Sequence, residues 1–309
     1  MILTVTLNPT VDKSYYIEKL IPGDVIRVIE KKETAGGKGI NVAKIAKLLG
    51  DNVVATGFLG GRSGEYINTF LIKAGIVSNF VMLDEETRTC VNVNDYEFNH
   101  QTVLLEAGSF VNSAKQEEFV LHFTSLLDCC KAVVLGGSLP PGIDNTFYPT
   151  LINLAKKAGK IVVLDTSGET LRAGIDACPT IIKPNRDELK AYLGRNIETI
   201  DETIAAAKEI QANGTDTVIV SLGKDGAVFV MKDNVYRGTT PNVKIVNTVG
   251  CGDSLVAGFV TGLINNYNMI DTIKLAMAVS TANALSREIG YFNQSDLDDL
   301  LTKVTATKL

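Results

Sequence analysis

The sequence lacks the residue patterns that several large classes of protein require. Its five cysteines include no C-x-x-C pair and its only histidines are His100 and His122, so neither a disulfide framework nor a zinc site is expected. No apolar run approaches the roughly 20 residues of a membrane span. The chain opens as a strand without a basic leader, which favours a cytoplasmic protein without a membrane partner. The net charge of -5 and the pI near 5.3 argue against a nucleic-acid partner.

Two common phosphate-binding motifs are also missing. The chain contains neither G-x-x-x-x-G-K-[ST] nor G-x-G-x-x-G. The first motif would indicate a P-loop, and the second would indicate a dinucleotide-binding oxidoreductase. Neither class is therefore supported by the sequence.

Short β-branched runs alternate with amphipathic helical stretches along the 309 residues. This is the pattern of βαβ units, and it predicts an α/β fold with a central, mainly parallel sheet flanked by helices. The predicted strands are Ile2 to Leu7, Val53 to Phe58, Ala132 to Leu135, Ile161 to Leu164, Thr180 to Ile182 and Thr217 to Val220. Two extended regions, at about 12–33 and 80–106, break the alternation. We expect them to form a small β-sheet lid (clasp) on a single domain spanning 1–309.

Residues 247–254, just before a predicted apolar helix from about Leu255 to Ile264, are the most informative segment. Gly250 and Gly252 flank one small residue and free consecutive backbone N–H groups to point at one place, near the positive end of the helix. This arrangement predicts an anion site. A carboxylate in such a site repels the ligand, so Asp253 is interpreted as a proton acceptor for a hydroxyl that attacks a phosphate. An ordinary helix N-cap is the structural alternative.

A second glycine cluster, at residues 35–41, opens another predicted helix. Its three glycines let the backbone come close to a polar ligand, and Lys38 and Asn41 lie one helical turn apart on the same side. A sugar phosphate fits this pattern. A tight turn that leads into a helix with a solvated lysine explains it equally.

Three further loops follow predicted strands, where the ligand-lining loops of open α/β sheets lie. Residues 136–142 are a glycine- and proline-rich loop that is also compatible with a rigid turn. In residues 183–188, Asn185 and Glu188 share the first turn of a helix, so their oxygens could orient Mg²⁺ through water, or simply cap the helix. Residues 221–226 allow an adenine or ribose to approach, but a hairpin loop needs no ligand.

Taken together, these motifs resemble, in order, those of the ribokinase-like (pfkB) carbohydrate kinases. The residues that carry the resemblance are Asn8-Pro9 with Asp12, Gly36 to Asn41, Gly136-Gly137-Ser138, Lys183-Pro184-Asn185 with Glu188, Ser221-Leu222-Gly223 with Gly226, and Val249 to Asp253. Each motif is weak alone, but six in the right order over nearly the whole chain are highly specific. The resemblance implies a three-layer sandwich that phosphorylates a sugar with ATP and Mg²⁺.

The resemblance also implies a role for each matching residue. Asp253 is implied to be the general base, and the N–H groups of Gly250, Cys251 and Gly252 are implied to form the anion hole. The implied sugar-phosphate contacts are Asp12, Gly36, Gly37, Lys38, Asn41, Arg88, Cys90 and Ser138, with Arg88 and Lys38 as candidates for the substrate's phosphate. The implied ATP contacts are Lys183, Asn185, Ser221, Gly223, Gly226, Gly250, Gly252 and Asn283. Asn185 and Glu188 are implied to lie on the Mg²⁺ side.

The opening residues 4–9 are similar to the branch of the family that acts on phosphorylated ketohexoses. That branch contains 1-phosphofructokinases and tagatose-6-phosphate kinases. The former tend to have an asparagine and a lysine where this chain has Cys90 and Asn92, and the loss of the lysine, together with residues 105–108, is more similar to tagatose-6-phosphate kinases. Tagatose 6-phosphate is therefore the expected substrate, with fructose 1-phosphate as the alternative. An inactive sugar-phosphate-binding regulator would have no reason to keep Asp253.

Two expectations concern the lid. Exposed edge strands commonly pair with another chain, so we expect a homodimer through the lid. We also expect the lid to close over the sugar, because an open site would lose ATP to hydrolysis.

Overall fold

The computed structural model describes residues 1–98 and 100–309, and within them fifteen β-strands and ten α-helices alternate along the chain. The strands are β1 Ile2–Thr6, β2 Thr10–Ile17, β3 Glu30–Gly36, β4 Val53–Gly60, β5 Val77–Ser78, β6 Val81–Leu83, β7 Thr89–Asp95, β8 His100–Leu105, β9 Ala132–Gly136, β10 Ile161–Asp165, β11 Ile181–Ile182, β12 Thr217–Ser221, β13 Ala227–Met231, β14 Val235–Thr239 and β15 Thr305–Lys308. The helices are α1 Lys38–Leu48, α2 Gly61–Lys73, α3 Ser113–Leu127, α4 Phe147–Lys157, α5 Gly168–Asp176, α6 Arg186–Leu193, α7 Ile200–Ala212, α8 Cys251–Ile264, α9 Met269–Leu285 and α10 Gln294–Lys303.

The larger sheet forms the middle layer of a three-layer sandwich. Its strand order is β15-β14-β13-β12-β11-β10-β9-β1-β4-β5, with β6 also paired to β4. Neighbours are parallel from β12 to β5 and antiparallel from β12 to β15. The predicted α/β class and mainly parallel sheet are confirmed.

Helices cover both faces of this sheet, which explains why its central strands are apolar along their whole length. In β1, Ile2 packs towards the layer of α1, α2, α8, α9 and α10. Its neighbour Leu3 packs towards the layer of α3 to α7. No helix in the described part of the chain is long and apolar enough to cross a membrane.

The smaller sheet, called the lid below, has the order β3-β2-β7-β8. Its segments differ in bounds from the predicted 12–33 and 80–106, because Val81–Leu83 pairs with β4 of the larger sheet instead. Val81 is apolar and buried in the core, whereas the lid strands carry half-buried polar residues. Burial of the apolar Val81 in the core thus explains why this strand joins the larger sheet and not the lid.

Helix α8 begins at Cys251, four residues before the predicted start at Leu255. Gly250 is its N-cap, in the left-handed region with φ 81°. A glycine adopts this conformation without strain, so the chain turns sharply into the helix there. Asp253 consequently lies in the first helical turn, and its own side chain is not the N-cap.

Candidate active site

The candidate site lies where the parallel strands end. Loops that follow β1, β9, β10, β11 and β12 meet at the carboxyl edge of the sheet, and the first turns of α1 and α8 point into the same region. Ligands of open α/β sheets bind at this edge. The fold therefore brings together the segments that the sequence had indicated.

Asp253 is held in place by a residue of α1. Asn41 Nδ2 donates a hydrogen bond to Asp253 Oδ2 at 2.8 Å, and the carboxylate is buried, with 6% exposure. Burial raises the pKa of Asp253, the Lys38 ammonium lowers it and the Asp165 carboxylate raises it, with a net rise. A buried, oriented carboxylate with a raised pKa is a better proton acceptor than an exposed one.

The turn before Asp253 places the backbone N–H groups of α8 at the site. Gly250 and Gly252 supply N–H groups at the start of the helix that have no partner four residues earlier, whereas the Cys251 N–H donates to the Thr248 carbonyl at 3.3 Å. A side chain on Gly252 would lie 3.1 Å from Lys183 Nζ, so the glycine also lets this ammonium approach. The turn thus combines helix N–H groups with a cation, as an anion site requires.

Asp165, which the sequence analysis did not single out, is the centre of the charge network. It ends β10, is 2% exposed, and its Oδ1 lies 2.7 Å from Lys38 Nζ and 3.5 Å from Lys183 Nζ. Burial alone would raise the pKa of Asp165, but Lys183 and Lys38 outweigh burial and lower it, so the carboxylate stays ionised. An aspartate at the carboxyl end of a buried parallel strand was the available signal.

Lys38 lies between the two carboxylates of the site. Burial lowers its pKa, but Asp165 and Asp253 outweigh burial and raise the pKa above its ordinary value. Its side chain as a whole keeps 35% exposure while the ammonium is paired with Asp165. Lys38 can therefore contact a phosphate without leaving its carboxylate partner.

The predicted sugar side is built around Asp12 in β2. Burial raises the pKa of Asp12 to about 6, although the Lys44 and Arg88 cations oppose this rise. A side-chain carbon on Gly36, in the neighbouring strand β3, would lie 2.0 Å from Asp12 Oδ2. Only glycine leaves room for the carboxylate there. Cys90 in β7 is opposite Asp12 in the strand register.

Arg88 is placed beside Asp12, but most of its guanidinium is already bonded. It donates to the carbonyl oxygens of Asn8, Pro9 and Glu106 at 2.9, 3.4 and 3.0 Å. Since arginine has five N–H donors, two remain for a ligand. Arg88 therefore joins the lid to the loop after β1 as well as being a predicted phosphate contact. Ser138 is also tied to this loop, because Asn8 Nδ2 donates to its Oγ at 3.4 Å.

On the predicted ATP side, the segment 183–188 starts helix α6 with a capping box. Asn185 Oδ1 accepts from the Glu188 N–H, and Glu188 Oε2 accepts from the Asn185 N–H, both at 2.8 Å. The helix-cap interpretation of these two residues is thus realised, with Pro184 just before the N-cap. Asn185 also forms a parallel bridge with Ser221, so this segment adjoins the loop of Gly223 and Gly226.

Asn283 packs against the turn formed by residues 250–252, which is called the anion turn below. It is completely buried; its Nδ2 donates to the Val249 carbonyl at 2.9 Å and its Oδ1 accepts from the Gly290 N–H at 3.0 Å. Its amide also lies 3.5 Å from the Cys251 sulfur. Asn283 thus supports the turn structurally, and its expected contact with ATP stays a prediction.

The arrangement is matched by a known family of proteins. The sequence profile of the pfkB family carbohydrate kinases matches residues 3–295. The chain belongs to the pfkB family of carbohydrate kinases. It is thus an ATP-dependent sugar kinase.

Individual relatives of this kinase cover it almost completely. The tagatose-6-phosphate kinase of Staphylococcus epidermidis is 37% identical over 307 residues, which are 98% of each chain. Phosphofructokinase-2 from Escherichia coli, solved in complex with potassium, superimposes with a TM-score of 0.90 at 28% identity and covers 97% of this chain and 98% of its own. A protein from Thermotoga maritima, described as a possible 1-phosphofructokinase, gives a TM-score of 0.89 at 27% identity and covers 100% and 99%.

The oxygens of this kinase fit a loosely held magnesium ion. Among the described residues no group of three or more His, Cys, Asp or Glu side chains is arranged to enclose a metal. Mg²⁺ in phosphoryl-transfer enzymes is usually bound by one or two carboxylates together with water and the phosphates. Asp165 Oδ2 is buried without a partner in the described structure. Glu188 is close enough to Lys38 for its charge to raise the pKa of that lysine. These two carboxylates match that requirement.

Proposed function

We propose that this kinase transfers the γ-phosphoryl group of ATP to D-tagatose 6-phosphate and forms D-tagatose 1,6-bisphosphate. The observation that carries the proposal is the position of Asp253, oriented by Asn41 in the first turn of α8 beside the Gly250 turn. The substrate assignment rests on the identity to tagatose-6-phosphate kinase over 98% of both chains. Strand β7 has Cys90 and Asn92 and therefore no cation at these two positions, which also supports tagatose 6-phosphate as the substrate.

In the proposed mechanism, Asp253 takes the proton of the attacking hydroxyl as its oxygen bonds to the γ-phosphorus. The bond between that phosphorus and the bridging oxygen breaks in line, and ADP leaves with the electron pair. The N–H groups at Gly250 to Gly252, together with Lys38 and Lys183, stabilise the negative charge on the transferred group. When bound, Mg²⁺ would neutralise the phosphate oxygens near Glu188 and Asp165.

Fructose 1-phosphate is the second candidate substrate. It is favoured by the structural similarity to the Thermotoga maritima protein, which extends over the whole chain. The two reactions differ in which end of the ketohexose carries the phosphate and which hydroxyl faces Asp253. Either sugar can use the same base and the same anion site.

The test is the release of ADP from Mg-ATP with tagatose 6-phosphate, fructose 1-phosphate, fructose 6-phosphate or fructose. We expect kcat/KM for tagatose 6-phosphate to exceed that of the others by at least about tenfold, or 1.4 kcal/mol of transition-state binding. Asp253→Asn should lose on the order of 10²-fold in rate. The exposed Asp216→Asn is the matched control. A preference for fructose 1-phosphate would replace the substrate, and an unaffected Asp253→Asn would remove the base.

We also propose that the lid pairs with a second copy of the chain. All six residues of the lid's edge strand β8 are exposed, including Leu104 and Leu105. An exposed edge strand with apolar residues is a template for pairing with another chain. Light scattering should give twice the mass of one 33.2 kDa chain. A monomer that is fully active would contradict the pairing.

A further inference from the structure

Lys44 is a buried cation that the proposed chemistry does not use. It lies in α1, three residues after Asn41 and on the same side of the helix, and it is only 8% exposed. A buried lysine is uncommon unless its ammonium has partners. The contacts of this side chain therefore show what it holds together.

The Lys44 ammonium joins three parts of the molecule. It donates to Thr34 Oγ1 in lid strand β3 at 3.3 Å and to the backbone carbonyl of Ile289, in the segment between α9 and α10. It also lies 5.4 Å from the centre of the Phe70 ring in α2, a favourable cation–π distance. One charged group thus links helices α1 and α2, the lid and the 286–291 segment.

That segment packs directly against the anion turn. A side-chain carbon on Gly250 would lie 3.0 Å from Ile289 Cγ2, and one on Gly290 would lie 3.2 Å from Lys44 Nζ. The Gly290 N–H bonds to Asn283, which in turn donates to the carbonyl of Val249. A continuous chain of contacts therefore runs from Thr34 in the lid, through Lys44, to the turn that precedes Asp253.

The surroundings of Lys44 are mixed in charge. Burial lowers the pKa of Lys44 to about 8, while the carboxylates of Asp12, Glu288 and Asp253 oppose this change. The Lys44 side chain is therefore a charged ammonium below about pH 8 and a neutral amine above it. The adjoining cavity of about 540 Å³ has further charged and ionisable groups on its walls: Lys32 and Glu33 of β3, Lys47 of α1, and Arg287 and Tyr291 of the 286–291 segment.

We propose that Lys44 is a positioning residue that couples the lid to the anion turn. Its ammonium holds Ile289 and Thr34, two residues before lid strand β3 ends, at the same time, so the base of the lid and the turn at Gly250 keep one relative position. The effect on rate rests on the proposed sugar-phosphate kinase activity. The coupling itself is a property of the structure and can be measured without substrate.

The kinetic test compares Lys44→Met, Lys44→Arg and, as a matched control, Lys47→Met in the same helix. Misplacement of reacting groups by about 1 Å can cost on the order of 10²-fold, so Lys44→Met should lose about 10- to 100-fold in kcat. Lys47 also borders the cavity, but it makes no hydrogen bond to the lid among the described contacts. Lys47→Met should therefore stay close to wild type. Equal kcat and KM in Lys44→Met and wild type would overturn the proposal.

The pH profile separates positioning from mere support of the fold. In the wild type, kcat/KM should fall above about pH 8 as the free enzyme loses the Lys44 proton. Arginine stays charged at every accessible pH, so Lys44→Arg should keep a flat profile through pH 9. The same fall in both proteins would assign the alkaline limb to another group and contradict the proposal.

Hydrogen exchange tests the coupling without any sugar. Lys44→Met should speed amide exchange both in β3 and in residues 286–291, while Lys47→Met should leave both segments unchanged. Exchange in α4 and α7, on the other face of the sheet, should not respond in either variant. If the wild type phosphorylates no ketohexose phosphate, the proposed function fails but this measurement still decides the coupling. Unchanged exchange in either segment of Lys44→Met would contradict it.

Discussion

Asp12 is a residue whose proposed function costs stability. Its carboxylate is half-buried in the lid against Gly36, and its pKa is raised to about 6, so at neutral pH it is ionised in an unfavourable place. Retention of a half-buried charge near Lys44 and Arg88 is typical of a ligand-binding position.

Asp12→Asn should therefore stabilise the protein at neutral pH. A group whose pKa is raised in the folded state loses stability as the pH rises from the unfolded value of 3.8 to about 6. The change corresponds to up to about 3 kcal/mol. Urea unfolding at pH 7 should show the variant more stable than wild type, and the difference should vanish near pH 4. A variant less stable than wild type at pH 7 would show that Asp12 is mainly a structural ion-pair partner.

The ionised Asp165 carboxylate affects stability in the opposite direction and stabilises the folded protein. Its lowered pKa means that its contribution to stability is present above the unfolded value of 3.8 and is lost as the pH falls through the folded value. Asp165→Asn leaves the buried Lys183 ammonium without its carboxylate, so we expect a loss of about 3 kcal/mol at pH 7 and a smaller loss at pH 3. Denaturant unfolding at both values checks this. An equal loss at pH 7 and pH 3 would contradict the ion-pair explanation.

At the scale of elements, helix α6 has a start that serves two purposes. The capping box of Asn185 and Glu188 stabilises the helix, and the same Glu188 is the proposed carboxylate on the Mg²⁺ side. Helix α7 has an equivalent capping box, formed by Thr199 and Glu202. The two boxes provide an internal comparison, because the first directly follows strand β11, with its N-cap two residues after Lys183, whereas the second follows another helix.

Glu188→Gln should separate these two purposes. Glutamine can replace glutamate in a capping box, so the free energy of unfolding should change by less than about 1 kcal/mol. The Mg²⁺ concentration that gives half-maximal rate should rise, because a charged oxygen ligand is lost. Glu202→Gln, the matched control in α7, should change neither quantity. An unchanged Mg²⁺ requirement in Glu188→Gln would remove Glu188 from the metal side.

Helix α8 shows where prediction of an element was limited. The sequence predicts its apolar part from Leu255 onward, since only there do apolar residues recur at helical spacing. The actual start at Cys251 includes Gly252 and Asp253, which are poor helix formers. Packing of α8 against α9 and α1 overrides this weak local preference.

For the whole molecule, the division into a rigid sandwich and a lid predicts how ATP is protected from water. The charge of the sandwich residue Asp253 raises the pKa of the lid residue Asp12, so the two carboxylates are close enough to interact across one cleft. A sugar that binds both would close the lid on the sandwich.

Phosphate release from Mg-ATP should therefore be slow without a sugar phosphate. We expect hydrolysis by the wild type alone to be at least about 10²-fold slower than phosphoryl transfer in its presence, because closure completes the site. Measurement of free phosphate and of ADP in parallel distinguishes hydrolysis from transfer. Equal rates of ADP formation with and without sugar phosphate would contradict the closure.

By itself the sequence determined the fold class and the anion turn. Alternating strand and helix patterns specify a covered parallel sheet, and Gly250 to Asp253 are adjacent in the chain, so local conformation is enough to assemble them. Only the tertiary structure decided the partners of the charges. Asp165 and Lys38 are 127 residues apart, and Lys44 and Ile289 are 245 apart. No spacing in the sequence encodes such contacts, because they exist only once the sheet order has placed the strand ends side by side.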